Sequence, residues 1–329
     1  MAFRWSFNTS QWEPTSSQLS QISRLIQAEE KARIGRFLFM RDAKTSLIGR
    51  ILIRKLVQLK TGVPNNFIKL GRDDHNKPIL ISPTNLADKL DDDDNDDCDV
   101  TNNDDNVIFD ECSNVNIRNL NFNVSHQGSY VVLASDPSAT HVGIDVMNVE
   151  KPGRISDTVD EYFRLMNRQF TENEWRQIKG LDLPGSLSDK KKMMNFTRFW
   201  CLKESYVKAI GVGIVIDLRT VDFNTKTDLS FESDGPKLAT DTVVKVNGCL
   251  ETEWSFEERC LDDETHLVAV AKKIPSKNKD IDSDKNEYIP PEFIPVSLDF
   301  LLDNMTPLQP EESVDTEWVE AFLKKNNKK

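Results

Sequence analysis

The chain of 329 residues is 38% hydrophobic and 29% charged, long enough for one large domain or two of ordinary size around a substantial core. No apolar run reaches the roughly 18 residues that a membrane-spanning helix needs, and the opening MAFRWSFNTSQWEP lacks the apolar stretch of a secretory signal, so a cytoplasmic protein without membrane association is expected. The net charge of −12 sits almost wholly between Asp88 and Glu111, which holds 12 acids and one base, while five scattered cysteines without C-x-x-C spacing argue against a disulfide framework and a zinc site.

In chain order, residues 19 to 60 read as helical from apolar residues recurring at three- and four-residue steps, ended by Thr61-Gly62-Val63-Pro64. The part from Lys31 to Lys60 carries nine Lys or Arg against one acid, Asp42, which offers a basic surface to a polyanion or an acidic protein. Phe67–Leu70 and Pro78–Ile81 suit short strands joined by the turn-rich GRDDHNK. From about 83 to 118 the chain is rich in Asp and Asn and poor in aromatics, the composition of a disordered insert. The Asp run lacks the glycine and terminal glutamate of an EF-hand loop.

Alternation over Asn119–Ser125 predicts a half-buried strand, followed by His126-Gln127-Gly128 and a second strand from Tyr130 to Ala134. A strand over His141–Val146 opens what reads as a second module. Helices are expected over 157–168, 171–180 and 189–210, then strands near 214–223, 228–232, 250–257 and 265–274. Residues 275–285 read as a linker. Phe293–Leu302 and an amphipathic helix near Trp318–Leu323 have enough apolar surface to dock on the body.

The segment Phe199 to Gly211 places Phe199, Leu202, Tyr206, Ala209 and Ile210 in one stripe, with Gly211 as its stop. Glu204 and Lys208, four residues apart, share another face; a solvated ion pair worth about 0.3–0.5 kcal/mol and a reactive pair both satisfy that spacing. Asp145 interrupts an apolar strand, so it faces solvent at an edge or is held by a cation or hydrogen bonds. His126 either caps a turn or reaches a phosphate, and Lys77 in Asn76-Lys77-Pro78 is either solvated or presented to an anion.

Taken together, NFNVSHQG, GIDV and WCLKESYVKAIG, preceded by RDAKTSLIGRILIRKLV and KLGRDDHNKPIL, resemble the Sfp-type 4'-phosphopantetheinyl transferases, most closely their animal branch. The helix signature is present in full as Trp200, Lys203, Glu204, Ser205, Lys208 and Ala209. The resemblance implies an α+β fold of two similar modules, 1–139 and 140–274, about a pseudo-two-fold axis, with 275–329 as linker and tail. It implies a monomer that transfers the phosphopantetheine arm of coenzyme A, its co-substrate, to a serine of apo carrier proteins, releasing adenosine 3',5'-bisphosphate. The carriers suggested are fatty acid synthase domains, a mitochondrial carrier protein and an aminoadipate-type reductase; no nucleic acid is expected.

By the same resemblance Asp145 and Glu204 hold Mg2+, Glu204 takes the serine proton, and Lys208 stabilises the leaving phosphate. His126 contacts the coenzyme A phosphates, Arg41, Arg72 and Lys77 hold its nucleotide end, and Ser125 and Gln127 are secondary contacts. Lys203 supports the site from outside. Three positions depart from the family pattern: Met147 stands where many members have a third acid, Asn76 replaces a glycine, and His75 replaces a lysine. Methionine cannot ligate a hard cation, so water or Gln127 is expected to complete the metal shell. The rival reading is a non-catalytic adaptor that binds acidic proteins or nucleic acid through the basic helix 31–60.

Overall fold

The computed structural model describes residues 1–73, 77–81, 120–150, 158–211, 213, 216–229, 238–261, 265–275, 291–310 and 315–327. The acidic insert, His75, Asn76 and most of the 275–285 linker lie outside the described residues. The protein is α+β. It opens with β1 (Phe3–Asn8), α1 (Ser16–Ser23), α2 (Ala28–Gly35) and α3 (Met40–Thr61). Two short strands, β2 (Leu70–Arg72) and β3 (Pro78–Leu80), form a hairpin, and β4 (Phe122–Gln127), β5 (Tyr130–Ser135) and β6 (His141–Asn148) follow.

Next come α4 (Val159–Leu165), α5 (Glu172–Lys179), α6 (Asp189–Ile210), β7 (Val221–Asn224), β8 (Val243–Val246), β9 (Cys249–Leu250), β10 (Trp254–Cys260) and β11 (His266–Lys273). The chain then returns to its beginning through β12 (Ile294–Pro295), α7 (Leu298–Leu302) and α8 (Thr316–Leu323).

One sheet has the order β12-β1-β5-β4, and another has β10-β11-β6. The same connection recurs: a strand (β1 or β6), a 22-residue helix (α3 or α6) and an antiparallel pair whose last strand lies beside the first. Beneath α3 a core gathers Leu47, Ile48, Ile51, Leu52, Val131 and Leu133, and the returning tail adds Leu301, Val319 and Phe322. A second core surrounds α6 with Phe196, Phe199, Leu202 and Phe256. Between the sheets, Val132 and Ala134 of β5 pack with Ile144, Val146, Val268 and Val270.

Several expectations need correction. The single helix over 19–60 is three helices, broken after Ser23 and after Gly35. Phe67 closes a short 3-10 turn, so the strand expected over 67–70 is displaced to 70–72. Asp228 and Leu229 are not in a strand, and the strand expected over 250–257 is β9 followed by β10. The helix expected to reach 168 stops at Leu165 and a 3-10 turn follows. The strand β8, not anticipated, forms a hairpin with β9 through Asn247-Gly248, whose φ angles of 50° and 81° suit that two-residue turn. The tail does dock on the body.

The basic stretch 31–60 is largely turned inward. Lys31 pairs with Asp315, Lys44 with Glu13, and Arg50 and Arg54 with Glu30, while Lys55 donates to the Asp303 carbonyl. The surface on which an adaptor would rely is therefore mostly committed to internal partners.

A buried ionic cluster ties the two sheets together. Arg4 clamps Glu257 through Nε (2.7 Å) and Nη2 (3.0 Å), Lys272 approaches the same carboxylate at 2.8 Å, and both cations reach Asp136 at 3.4–3.5 Å. Burial alone would raise the Glu257 carboxyl, but Arg4 and Lys272 hold it below the ordinary carboxylate range. Its folded-state pKa being depressed, the stability it contributes is present above about pH 4 and lost as pH falls through that folded value. Glu257→Gln, which leaves two buried cations short of a counter-charge, should cost about 3–5 kcal/mol in urea unfolding at pH 7. The difference from wild type should shrink below about pH 4, and a difference constant down to pH 3 would refute the assignment.

Candidate active site

The site forms where β4, β6 and α6 meet. On β4, Asn123, Ser125 and Gln127 share one face by the two-residue strand period, and each reaches across to β6. Asn123 Oδ1 accepts from the Ile144 N–H (3.0 Å), the Ser125 hydroxyl donates to Asp145 Oδ1 (2.9 Å), and Gln127 Oε1 accepts from the Asn148 N–H. These side chains join strands that carry no backbone ladder to one another. Gln127 also presents its amide nitrogen to Met147 Sδ at 3.8 Å, so its carbonyl oxygen is already occupied by protein.

Gly143 lets α6 lie against β6. A Cβ there would meet Ser205 O at 2.0 Å and Ala209 N at 2.4 Å, distances that only a glycine permits. The close approach brings Lys208 Nζ to 2.5 Å from Asp145 Oδ1 and to 2.8 Å from Ser125 Oγ, which accepts from it. Asp145 is buried, and its other oxygen, Oδ2, has no hydrogen-bond partner among the described residues. Glu204 lies one turn before Lys208 and is half-buried. Burial, and then the Asp145 charge, push the Glu204 carboxyl above its ordinary value, with Lys208 opposing.

Beside this centre opens a cleft of about 530 Å³, lined by Arg41, Asp42 and Thr45 of α3, by His126 and Gln127, by Met147, Asn148 and Glu150, and by Tyr162, Met193, Phe196 and Thr197. The cleft walls desolvate His126, and Lys208 adds repulsion; together they lower its pKa and favour the neutral imidazole at pH 7. Arg41 is exposed at the rim and approaches Asp42 loosely, at 3.5 Å. Lys77 Nζ stands 3.5 Å from the Lys208 carbonyl, its pKa lowered by burial against the pull of Asp73. Arg72 ends β2 opposite Pro78.

The structure thus brings Ser125, Asp145, Glu204 and Lys208 together, sets His126, Gln127 and Arg41 on the cleft wall, and carries Lys77 to the end of α6. Lys203 stays outside: its buried ammonium pairs with Glu174 (2.8 Å) and donates to the Leu218 and Val221 carbonyls. Sequence reasoning missed Tyr162, Met193 and Thr197. Met193 and Thr197 fall on the same helical face as Glu204 and Lys208, a periodicity already present in the sequence. It also missed Cys201, whose thiol lies fully buried beside Asp145; burial and then that carboxylate push it well up, so it remains a protonated thiol.

Among the described residues no group of three or more His, Cys, Asp or Glu side chains is placed to hold a metal ion. The donor set is two carboxylates, one with a buried oxygen that has no partner among the described residues, which suits a hard cation that keeps most of its waters. No described helix is long and apolar enough to cross a membrane.

Comparison with known proteins adds to this geometry. Residues 10–108 match the family model "4'-phosphopantetheinyl transferase, N-terminal", and residues 141–270 match that of the 4'-phosphopantetheinyl transferase superfamily. The chain is 37% identical over 314 residues to the L-aminoadipate-semialdehyde dehydrogenase-phosphopantetheinyl transferase of Homo sapiens, covering 94% of this chain and 88% of that protein. The Pongo abelii protein of the same name is 36% identical over 313 residues, with the same shares covered. A phosphopantetheinyl transferase of Thraustochytrium sp. is 29% identical over 267 residues, covering 81% and 77%. Likeness of this extent, spanning both family models and nearly the whole chain, makes the protein a member of the 4'-phosphopantetheinyl transferase superfamily.

Proposed function

We propose that the cleft beside α6 binds coenzyme A and that the protein moves its 4'-phosphopantetheine arm to a serine hydroxyl of an apo carrier protein, with adenosine 3',5'-bisphosphate as the other product. The observation that supports this placement is the convergence of Asp145, Ser125 and Lys208 on one another, with Glu204 a turn away, beside the cleft whose wall carries the neighbouring His126, Gln127 and Met147. In this reading Arg41, Arg72 and Lys77 hold the nucleotide phosphates, and His126, neutral, donates one ring N–H to the pyrophosphate. Arginine suits phosphate through its planar fork. Lys208 supplies positive charge to the departing phosphate, and Ser125 fixes where its ammonium stands. Glu204, its carboxyl raised above its ordinary value by burial and the Asp145 charge, accepts the serine proton directly or through water.

Asp145 and Glu204 would hold Mg2+, with Asp145 Oδ2 as the ready ligand and water filling the place that Met147 cannot. When bound, the ion neutralises charge on the pyrophosphate being split. We further propose two modules, 1–139 and 140–274, about a pseudo-two-fold axis with coenzyme A between them; the recurring strand-helix-strand pair supports this. The protein is read as a cytoplasmic monomer. An aminoadipate-semialdehyde dehydrogenase is the first carrier to test, on the strength of its relatives' names, with fatty acid synthase and mitochondrial carriers after it.

The test is direct: incubate the protein with coenzyme A, Mg2+ and an apo carrier, and weigh the carrier by mass spectrometry. One phosphopantetheine arm per carrier is expected. Failure to modify any carrier, with coenzyme A left intact, would return the protein to a binding role.

A further inference from the structure

The rim arginine, Arg41, stands in the first turn of α3, and that turn has no cap of its own. The N-cap position is Phe39, whose side chain cannot accept a hydrogen bond, so the first amides of α3 need partners from elsewhere. For the first of them, the Met40 N–H, the partner comes from far along the chain. The Met40 N–H donates to the Asn326 carbonyl (3.0 Å), and the Asn326 N–H donates to the Leu38 carbonyl (3.3 Å), making a short parallel bridge between Phe39 and Asn326. One residue earlier, the Lys325 ammonium donates to the Gly35 (2.9 Å) and Phe37 (2.5 Å) carbonyls at the end of α2.

The segment is held in place by α8 just before it. Phe322 is buried in the core under α3, and Trp318 Nε1 donates to the Lys31 carbonyl at 3.0 Å. Two residues of the tail therefore close the end of one helix and the beginning of the next, across the connection that leads directly into Arg41, Asp42 and Thr45 on the cleft wall.

We propose that Lys325 and Asn326 act as a strap that positions the start of α3, and with it Arg41, for binding the phosphates of coenzyme A. The inference rests on Arg41 as a phosphate ligand. Lys325 and Asn326 are positioning residues: they stand off the cleft and act through α3. Because the nucleotide phosphates lie away from the reacting bond, the strap contributes to binding and not to the chemical step.

A chain ending at Lys324 keeps Phe322 and Trp318, and so keeps the core covered. Its coenzyme A Kd by titration calorimetry should rise about five- to tenfold, the range expected when a helix cap is lost. The kcat at saturating coenzyme A should stay within about twofold, since uniform binding alone is lost. Lys325→Met should give a smaller rise, and Lys325→Arg should restore binding. Faster hydrogen exchange at the Met40 amide is expected in the shortened chain. In an Arg41→Ala background the same shortening should change Kd by less than about twofold, because the route runs through Arg41. An unchanged Kd in the shortened chain, with Arg41→Ala still weakening binding, overturns the strap alone. An additive loss in the double variant overturns the route through Arg41, and an Arg41→Ala variant that binds normally overturns both the strap and the reading of Arg41.

Discussion

Glu204→Gln should fold, bind coenzyme A within about threefold of wild type, and lose on the order of 10²–10⁴ in the rate of transfer to a carrier serine, the usual contribution of a positioned base. The change keeps the shape of the side chain and removes only its charge and its ability to accept a proton. The bland reading of Glu204, a solvated partner of Lys208 one turn on, is weakened by the geometry: Lys208 turns to Asp145 and Ser125 at 2.5 and 2.8 Å. What remains beside Glu204 is a like charge on Asp145 and a partly dry surrounding, which together hold a proton on it more tightly than water would. In the proposed reading Asp145 and Glu204 together would hold Mg2+, so a calorimetric Mg2+ titration should weaken in parallel. Single-turnover transfer followed by mass spectrometry separates the cases, because turnover near wild type would return Glu204 to the solvated pair.

The helix with the site was legible before the structure, while the helices of the first half were not, and the reason lies in their ends. The sequence marks α6 with a serine cap at Ser188, an uninterrupted apolar stripe and Gly211 in the left-handed region at φ 75°. By contrast α2 starts after Gln27 and α3 after Phe39, neither among the residues that favour that position. Gln27 is fixed by Arg54, which donates to its Oε1 at 2.7 Å, and Met40 is capped by Asn326. Partners so distant in sequence leave no local mark, and the periodicity runs through both breaks. The same holds for the basic stretch, whose charges seem surplus only until Asp315, Glu13 and the Asp303 carbonyl arrive from elsewhere in the chain. The hairpin β8–β9 is a different kind of miss: Val-Val-Lys-Val-Asn-Gly carries the two-residue turn signal in full.

For Asp145 the sequence allows a solvent-facing position at a strand edge or a carboxylate held by a cation or hydrogen bonds, and burial with an ammonium at 2.5 Å and the Ser125 hydroxyl at 2.9 Å decides for the second. That distance depends on a residue with no side chain. In Gly143→Ala the new methyl would face Ser205 O at 2.0 Å, Ala209 N at 2.4 Å and Ala209 Cα at 2.9 Å. All three belong to the backbone of α6, so no rotamer change relieves the clash and the helix itself must move, by more than 1 Å, to reach ordinary contact. A misplacement of that size costs on the order of 10²-fold in rate. Glu204 and Lys208 flank the contact on α6 and Asp145 lies two residues along β6, so the displacement opens the site at its centre. The expected result is a folded protein about 1–3 kcal/mol less stable, the usual cost of overpacking. Its kcat should fall by about 10²-fold, with the coenzyme A KM changed far less. Gly49 of α3 supplies the control, because a Cβ there meets only the Val124 and Val131 methyls at 3.8 Å. Gly49→Ala should therefore be silent in kcat and neutral or stabilising by up to about 1 kcal/mol, the helix-propensity gain. Equal kcat in the two alanine variants would mean that the approach of α6 to β6 does not set the catalytic geometry. A large loss confined to Gly143→Ala would show that the spacing between the two carboxylates and Lys208 is fixed by backbone contact, a constraint that leaves no titratable or polar residue to mark it in the sequence.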